Sequence, residues 1–286
     1  MIVTNKYGLP KPFVVAVSKP FYFTEKRYGV TTLEMPPQLF QLKTRHDEEI
    51  EEDVSDRIWL ILGTASHKVL EEAAKGDAEL VEEGKYTIPV GDCTVVCKVD
   101  LYIPAEKRLC DYKVTSVWSF MGNKIKPEWE AQLNMNAAIL RENGVPVDNI
   151  EINGIIRDWS KGKALQGNDY PQVPVKIVKI PMWKHETSMD YIRDRVKLHR
   201  DAIELEDHQL PPCSAVDRWE RPTKYAVMKT GRKSAVRVLD SNREAETFMA
   251  AHKDYKQLSI AVRKGMSARC EDYCPVKKFC HQYPML

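Results

Sequence analysis

The chain has 286 residues, with 43 Lys and Arg against 41 Asp and Glu, 43% hydrophobic content and a formal net charge of +2. Such a chain can bury one sizeable core, or a core plus a small appended module, and it has no run of about eighteen apolar residues able to span a membrane. Near-neutral charge excludes nucleic-acid binding driven by the protein's overall field, so any such binding needs a local basic groove.

Residues 1–54 read as a lead-in with little regular structure, mixing apolar runs at 12–17 and 20–23 with the turn-forming Met35-Pro36-Pro37. Met1 to Lys6 show no basic segment followed by an apolar run, so the sequence predicts a cytoplasmic protein. The acidic stretch 47–56 enters a helical pattern over 55–74, ended by Gly76. This helix carries His67 and, one turn later on the same face, Glu71. Residues 93–103 alternate as a strand, with Val95, Cys97, Val99, Leu101 and Ile103 on the apolar face and Asp100 pointing away from it. A polar connection at 104–107 leads to a second strand over 108–115, so the two runs form a hairpin. Asp111 and Lys113 share one face of that second strand. A helix over 127–143 follows, with Trp129, Leu133, Ala137 and Leu140 at helical spacing and Gln132 and Asn136 on one side. A strand over 150–159, a surface loop over 162–169, a strand over 173–181 and an amphipathic helix over 188–205 complete the pattern. This is an α/β plan, a mixed central sheet flanked by helices, over residues 55–210.

Past Pro211-Pro212, residues 211–286 form a small module in which cysteine is the informative residue. Of seven cysteines, Cys93, Cys97 and Cys110 fall inside core strands, where cysteine acts as a small buried hydrophobe. Cys213, Cys270, Cys274 and Cys280 lie outside regular structure, three of them crowded at the end of the chain. In a protein without an export signal, close-set cysteines favour thiolate ligation of an iron–sulfur cluster or a structural zinc over disulfides. Between them, strands at 225–228 and 235–239 flank a turn at 229–233, and Ser241 to Glu244 is a capping box opening a helix to about residue 252. The unit has little apolar surface to bury, and a metal tying its ends would make up the deficit.

The hairpin places two carboxylates, Asp100 and Asp111, beside one ammonium, Lys113. Two such acids make a hard-oxygen site for Mg²⁺ or Mn²⁺, and a lysine beside it can orient or activate a water. An Asp and a Lys two apart on a strand also form ordinary solvated charge pairs, and a lone helix histidine is more often a surface or packing residue. Basic clusters at Lys124 and Lys126, at Arg157, Lys161 and Lys163, and at Lys224, Lys229, Arg232, Lys233 and Arg237 are candidate grooves. Such clusters are more often just a solvated face.

Taken in order, Gly63-Thr-Ala-Ser-His67, Lys98-Val-Asp100, Asp111-Tyr-Lys113 and Glu130-Ala-Gln132 resemble the PD-(D/E)XK nuclease superfamily, in its RecB-type exonuclease branch. The resemblance implies a restriction-endonuclease-like core and a metal-dependent DNA exonuclease of recombination, repair or phage DNA processing, in a bacterial or phage-infected cytoplasm. It implies a metal held by His67, Asp100, Asp111 and the backbone carbonyl of Tyr112, with Lys113 and Gln132 completing the catalytic set. Asn136 stands where the branch has a tyrosine. Several members carry a four-iron–four-sulfur cluster on one distant cysteine and a C-terminal group of three, which here implies Cys213, Cys270, Cys274 and Cys280, with structural zinc as the alternative. In those families the lone cysteine precedes the core, whereas Cys213 follows it, and His281 is a substitute donor. The implied partners are DNA with a free end and a single-strand annealing or recombination protein. An endonuclease on single-stranded or structured DNA, and a non-catalytic DNA-binding module, remain the alternatives.

Overall fold

A computed structural model describes every residue except 19–22, 78–79, 83, 124, 168 and 286. Most of the apolar run at 20–23, and Lys124 of the first basic cluster, lie outside the described residues. The chain divides into two compact units, Met1–Glu204 and Leu205–Leu286.

The first fifty residues depart from expectation, because they are largely regular. Strand β1 (Ile2–Thr4), helix α1 (Lys11–Val17), strand β2 (Arg27–Gly29), and helices α2 (Val30–Glu34) and α3 (Pro37–Arg45) precede strand β3 (Glu51–Asp53). Proline stands in the first turn of α1 and α3, where its fixed φ suits helix entry and its missing N–H costs nothing. Tyr28, Leu33, Phe40 and Leu42 are at most 1% exposed, so this segment belongs to the core. Its elements are too short to show a period in sequence, and such helices gain order from packing more than from propensity.

The expected helix over 55–74 is two helices, α4 (Val54–Arg57) and α5 (Trp59–Ala74). Asp53 caps α4, its Oδ1 accepting from the Ser55 N–H at 3.0 Å. Strands β4 (Val81–Glu82), β5 (Lys85–Val90), β6 (Cys93–Lys98), β7 (Leu101–Ile103) and β8 (Arg108–Thr115) follow. The single strand expected over 93–103 is broken. Strand β6 joins a three-stranded sheet ordered β2-β6-β5, whereas β7 lies between β8 and β4 in a five-stranded sheet. Cys93, Val95, Cys97 and Val99 keep the expected period, but the next buried residue is Tyr102, with Leu101 and Ile103 half-exposed. The apolar face therefore changes phase at Asp100, which lies in the break.

Strands β7 and β8 form the expected hairpin, pairing Leu101 with Cys110 and Ile103 with Arg108. Helix α6 (Pro127–Glu142) is the crossover from β8 to strand β9 (Asn149–Ile156), which runs parallel to β8. A Cβ on Gly154 of β9 would fall 2.1 Å from the Phe120 ring, so a side chain there would have to displace the ring or the strand. The expected loop over 162–169 begins with a short helix, α7 (Lys161–Ala164), before the edge strand β10 (Val175–Lys179) and helix α8 (His185–Asp201). Helix α8 anchors the N-terminal segment: Arg195 Nη2 donates to the Met35 carbonyl at 2.8 Å, and His199 Nε2 lies 3.0 Å from the same oxygen.

In the second unit, β11 (Glu220–Arg221) pairs with β15 (Met266–Ser267), while β12 (Lys224–Lys229) lies between β13 (Arg237–Leu239) and β14 (Leu258–Arg263). Helix α9 (Asn242–Ala250) opens with the expected capping box of Ser241 and Glu244, and a short helix α10 (Ala268–Asp272) carries Cys270. The buried core here is Val227, Ala245 and Leu258. Strand β14 lies beyond the elements the sequence suggests, although Gly265 closes its run Leu-Ser-Ile-Ala-Val-Arg. The whole is a mixed α/β arrangement of several sheets flanked by helices. Among the described residues no helix is long and apolar enough to cross a membrane.

Candidate active site

Strand β8 projects Asp111 and Lys113 to one side, and helix α6 lays Gln132 across both. Lys113 Nζ lies 2.8 Å from Asp111 Oδ2 and donates to Gln132 Oε1 at 2.9 Å. Gln132 Nε2 closes the ring by donating to Asp111 Oδ1 at 2.9 Å. Asp111 is 6% exposed, and its Oδ2 faces the Lys113 ammonium alone. A buried carboxylate oxygen is thus paired in charge yet retains a lone pair with no hydrogen bond on it.

Asp100 comes to the same place from the break between β6 and β7. Its Oδ2 accepts from the Tyr112 N–H at 2.9 Å, and its Oδ1 lies 3.2 Å from His67 Nδ1. Helix α5 supplies His67, whose ring meets that of Tyr112 edge-on at 6.0 Å. The hydrogen bond to Asp100 raises the His67 pKa against the opposing effect of burial. Burial raises the Asp111 pKa and the Asp100 charge adds to it, while Lys113 and His67 pull it down.

His67, Glu71, Asp100, Asp111, Lys113 and Gln132 all line one cavity of about 870 Å³. Asn136 does not join them. It is 3% exposed on α6, and its Oδ1 has no hydrogen bond. Reading the sequence alone missed Glu34, a carboxyl whose pKa burial pushes up to about 8 and which feels the charges of Glu128, Lys113 and Asp111. No periodicity marks Glu34, because α2 is a helix of only five residues. Trp59, at the start of α5, was missed as well. It lines the cavity with the Arg157 guanidinium 4.4 Å above its ring.

Among the described residues no three His, Cys, Asp or Glu side chains are spaced for a common metal ion. Two carboxylates nonetheless suit Mg²⁺ or Mn²⁺, which keep several waters and take the rest of their ligands from substrate phosphate. The lone pair on Asp111 Oδ2 fits that role.

Cys93, Cys97 and Cys110 are at most 3% exposed. Burial pushes the Cys97 and Cys110 thiols up to about 12, which keeps them neutral. In the second unit Cys213, Cys270, Cys274 and Cys280 form no disulfide. Their thiols are near enough to act on one another: Cys280 and Cys274 raise Cys213, and Cys280 raises both Cys270 and Cys274, in each case after burial. Arg269 opposes these shifts at Cys213, Cys270 and Cys274. Gln282 ties the end of the chain to Cys213, accepting from its N–H at 2.9 Å and donating to its carbonyl at 3.0 Å.

Several of the basic residues are engaged locally. Lys229 pairs with Asp254 at 2.6 Å, Lys224 pairs with Asp240, and Arg237 lies over the Phe248 ring. Lys126 lies 4.9 Å from the centre of the Trp129 ring.

No family model matches the sequence, and no curated protein matches it either. Among solved structures, the protein SSO0001 is similar over 62% of this chain and 79% of its own, at 17% identity and a TM-score of 0.44. A provisionally named exonuclease from Eubacterium rectale is similar over 61% of this chain and 71% of its own, at 13% identity and a TM-score of 0.31.

Proposed function

We propose that this protein is a metal-dependent nuclease that hydrolyses DNA phosphodiester bonds from strand ends. The observation that carries the reading is the closed ring of Asp111, Lys113 and Gln132 opening on one cavity with Asp100. Asp100 and Asp111 would hold Mg²⁺ or Mn²⁺, with the Tyr112 carbonyl and His67 as the further donors. When bound, such an ion lowers the pKa of a coordinated water and offsets charge on the phosphate.

The remaining work falls to the chain's own groups. Lys113 Nζ, fixed by Gln132 Oε1, is aimed to donate to the attacking water and to a phosphate oxygen as negative charge grows there. The water oxygen bonds to phosphorus as the bond to the leaving oxygen breaks. One water proton passes to solvent, and the leaving oxygen takes a proton up. Tyr112 N–H and His67 hold Asp100 against rotation, so its carboxylate is ready before substrate arrives.

The end-directed mode follows the likeness of the ordered motifs to RecB-type exonucleases, and a single-strand annealing or recombination protein is the partner class it would serve. In the same reading, Cys213, Cys270, Cys274 and Cys280 ligate a four-iron–four-sulfur cluster, with zinc as the alternative. The support for that assignment is the crowding of Cys270, Cys274 and Cys280 in the sequence, together with Gln282, which ties the end of the chain to Cys213.

Purified protein incubated with Mg²⁺ or Mn²⁺ should shorten end-labelled linear DNA progressively and leave covalently closed single-stranded circles intact. Rapid cutting of circles would convert the enzyme to an endonuclease with the same catalytic residues, and inertness toward both would sink the reading.

A further inference from the structure

Helix α5 is unusual in burying only Ala74 of its sixteen residues. Its cavity-facing side runs Trp59, Gly63, His67, one residue every turn, and all three line the cavity. Trp59 is 55% exposed, and the Arg157 guanidinium lies 4.4 Å from the ring centre. Arg157 follows the end of β9, fixed there by its N–H donating to the Thr115 carbonyl at 3.0 Å. Among the described residues it makes no ion pair with a carboxylate, so its charge is open to a ligand.

Charge alone does not explain what the cavity would hold. Asp56, Glu71, Glu72, Asp100 and Asp111 are matched by Arg57, Lys68, Lys98, Lys113 and Arg157, so without a bound ion the lining carries little net charge to attract a phosphate backbone. Affinity must then come from short-range contacts. An exposed indole offers a base the stacking face turned away from Arg157, and the guanidinium, already stacked on the other face, offers a bidentate donor to the adjoining phosphate. A paired base inside a duplex has no free face to give.

Gly63 completes the path. A Cβ built on it meets nothing within 4 Å, so no packing requires a glycine there, although glycine costs a helix interior about 1 kcal/mol relative to alanine. Its effect is to leave a groove between the Trp59 ring and His67, about 12 Å apart along the helix.

We propose that Trp59 and Arg157 are positioning residues that clamp an unpaired nucleotide at the cavity mouth, with Gly63 leaving the groove along which the strand passes to Asp100 and Asp111. This makes the substrate an unpaired strand, and it rests on the nuclease reading above.

The test is binding of a fluorescent oligothymidylate and of a blunt hairpin duplex, in EDTA, by wild type, Trp59→Ala, Trp59→Phe, Arg157→Ala and Gly63→Leu. Oligothymidylate affinity should fall roughly five- to hundredfold in Trp59→Ala, recover in Trp59→Phe, and fall in Arg157→Ala and Gly63→Leu, with hairpin affinity unchanged. Indole fluorescence should be quenched by the strand in wild type and less so in Trp59→Phe. Wild-type strand affinity in Trp59→Ala, or equal losses for strand and hairpin, would overturn the clamp. Hydrolysis of the same strand with Mn²⁺ separates the two ideas: an intact clamp on a protein that never cleaves defeats the nuclease reading alone, and cleavage without the clamp defeats this inference alone.

Discussion

Gln132 and Asp111 are joined at 2.9 Å by an amide whose oxygen is already committed to Lys113. Replacing Gln132 with leucine therefore breaks two links at once. It leaves a buried Asp111 oxygen without its donor, which costs about 1–3 kcal/mol of stability, and it frees the Lys113 ammonium. The expected result is a kcat lowered roughly tenfold or more with KM for DNA little changed, read by steady-state kinetics beside a thermal melt.

Asp111 carries a second prediction, in which stability and activity part company. Burial and the Asp100 charge oppose its ionised form while Lys113 favours it, so Asp111→Asn should remain folded, as a thermal melt would show, even though it loses its ion pair. Hydrolysis should fall by roughly a thousandfold or more, because the neutral amide no longer holds a divalent ion. Lys113→Ala should be similarly inactive and folded. Near-wild-type cleavage by Asp111→Asn would mean that the site lies elsewhere.

The helix residue and the acid-x-lysine strand were legible because each sits inside a long periodic element, α6 or β8, whose phase fixes which side chains share a face. Asp100 was found for a partly mistaken reason. The residues Leu101, Tyr102 and Ile103 are all apolar, so nothing in the sequence marks the change of phase, and the carboxylate reaches the site from a break between sheets. Glu34 and Trp59 were not found. One sits in a helix too short to show a period, and the other gains its setting from Arg157, nearly a hundred residues away in sequence.

A third prediction concerns acid. His199 is fully buried against Tyr28 and Phe40, and burial holds its pKa down to about 4. An unfolded histidine takes a proton near pH 6.5, so between about pH 6.5 and pH 4 the unfolded chain binds the extra proton and the folded one does not. This contribution is complete above that window and is lost as pH falls through it, about 3 kcal/mol in all. Urea unfolding at pH 7.5 and pH 5 should show a smaller pH difference in His199→Phe than in wild type.

The C-terminal thiols give the fourth. Protein purified without oxygen should be brown and hold about four irons per chain. Cys270→Ser should bleach it and loosen residues 205–286 to protease while leaving Mn²⁺-dependent hydrolysis largely intact. Colourless protein with one zinc would replace the cluster with a structural site.

Gly154 stands directly opposite Lys113 in the pairing of β8 with β9. The Phe120 ring that a side chain at Gly154 would meet therefore packs against the strand hydrogen-bonded to the lysine's own. Position 154 lines no part of the cavity, yet even a methyl group there must move either the ring or the strand, and with the strand the lysine. Tolerance to sequence change in this protein should thus be narrower at a hidden glycine than at many residues facing the cavity, and Gly154→Ala should behave as an active-site lesion.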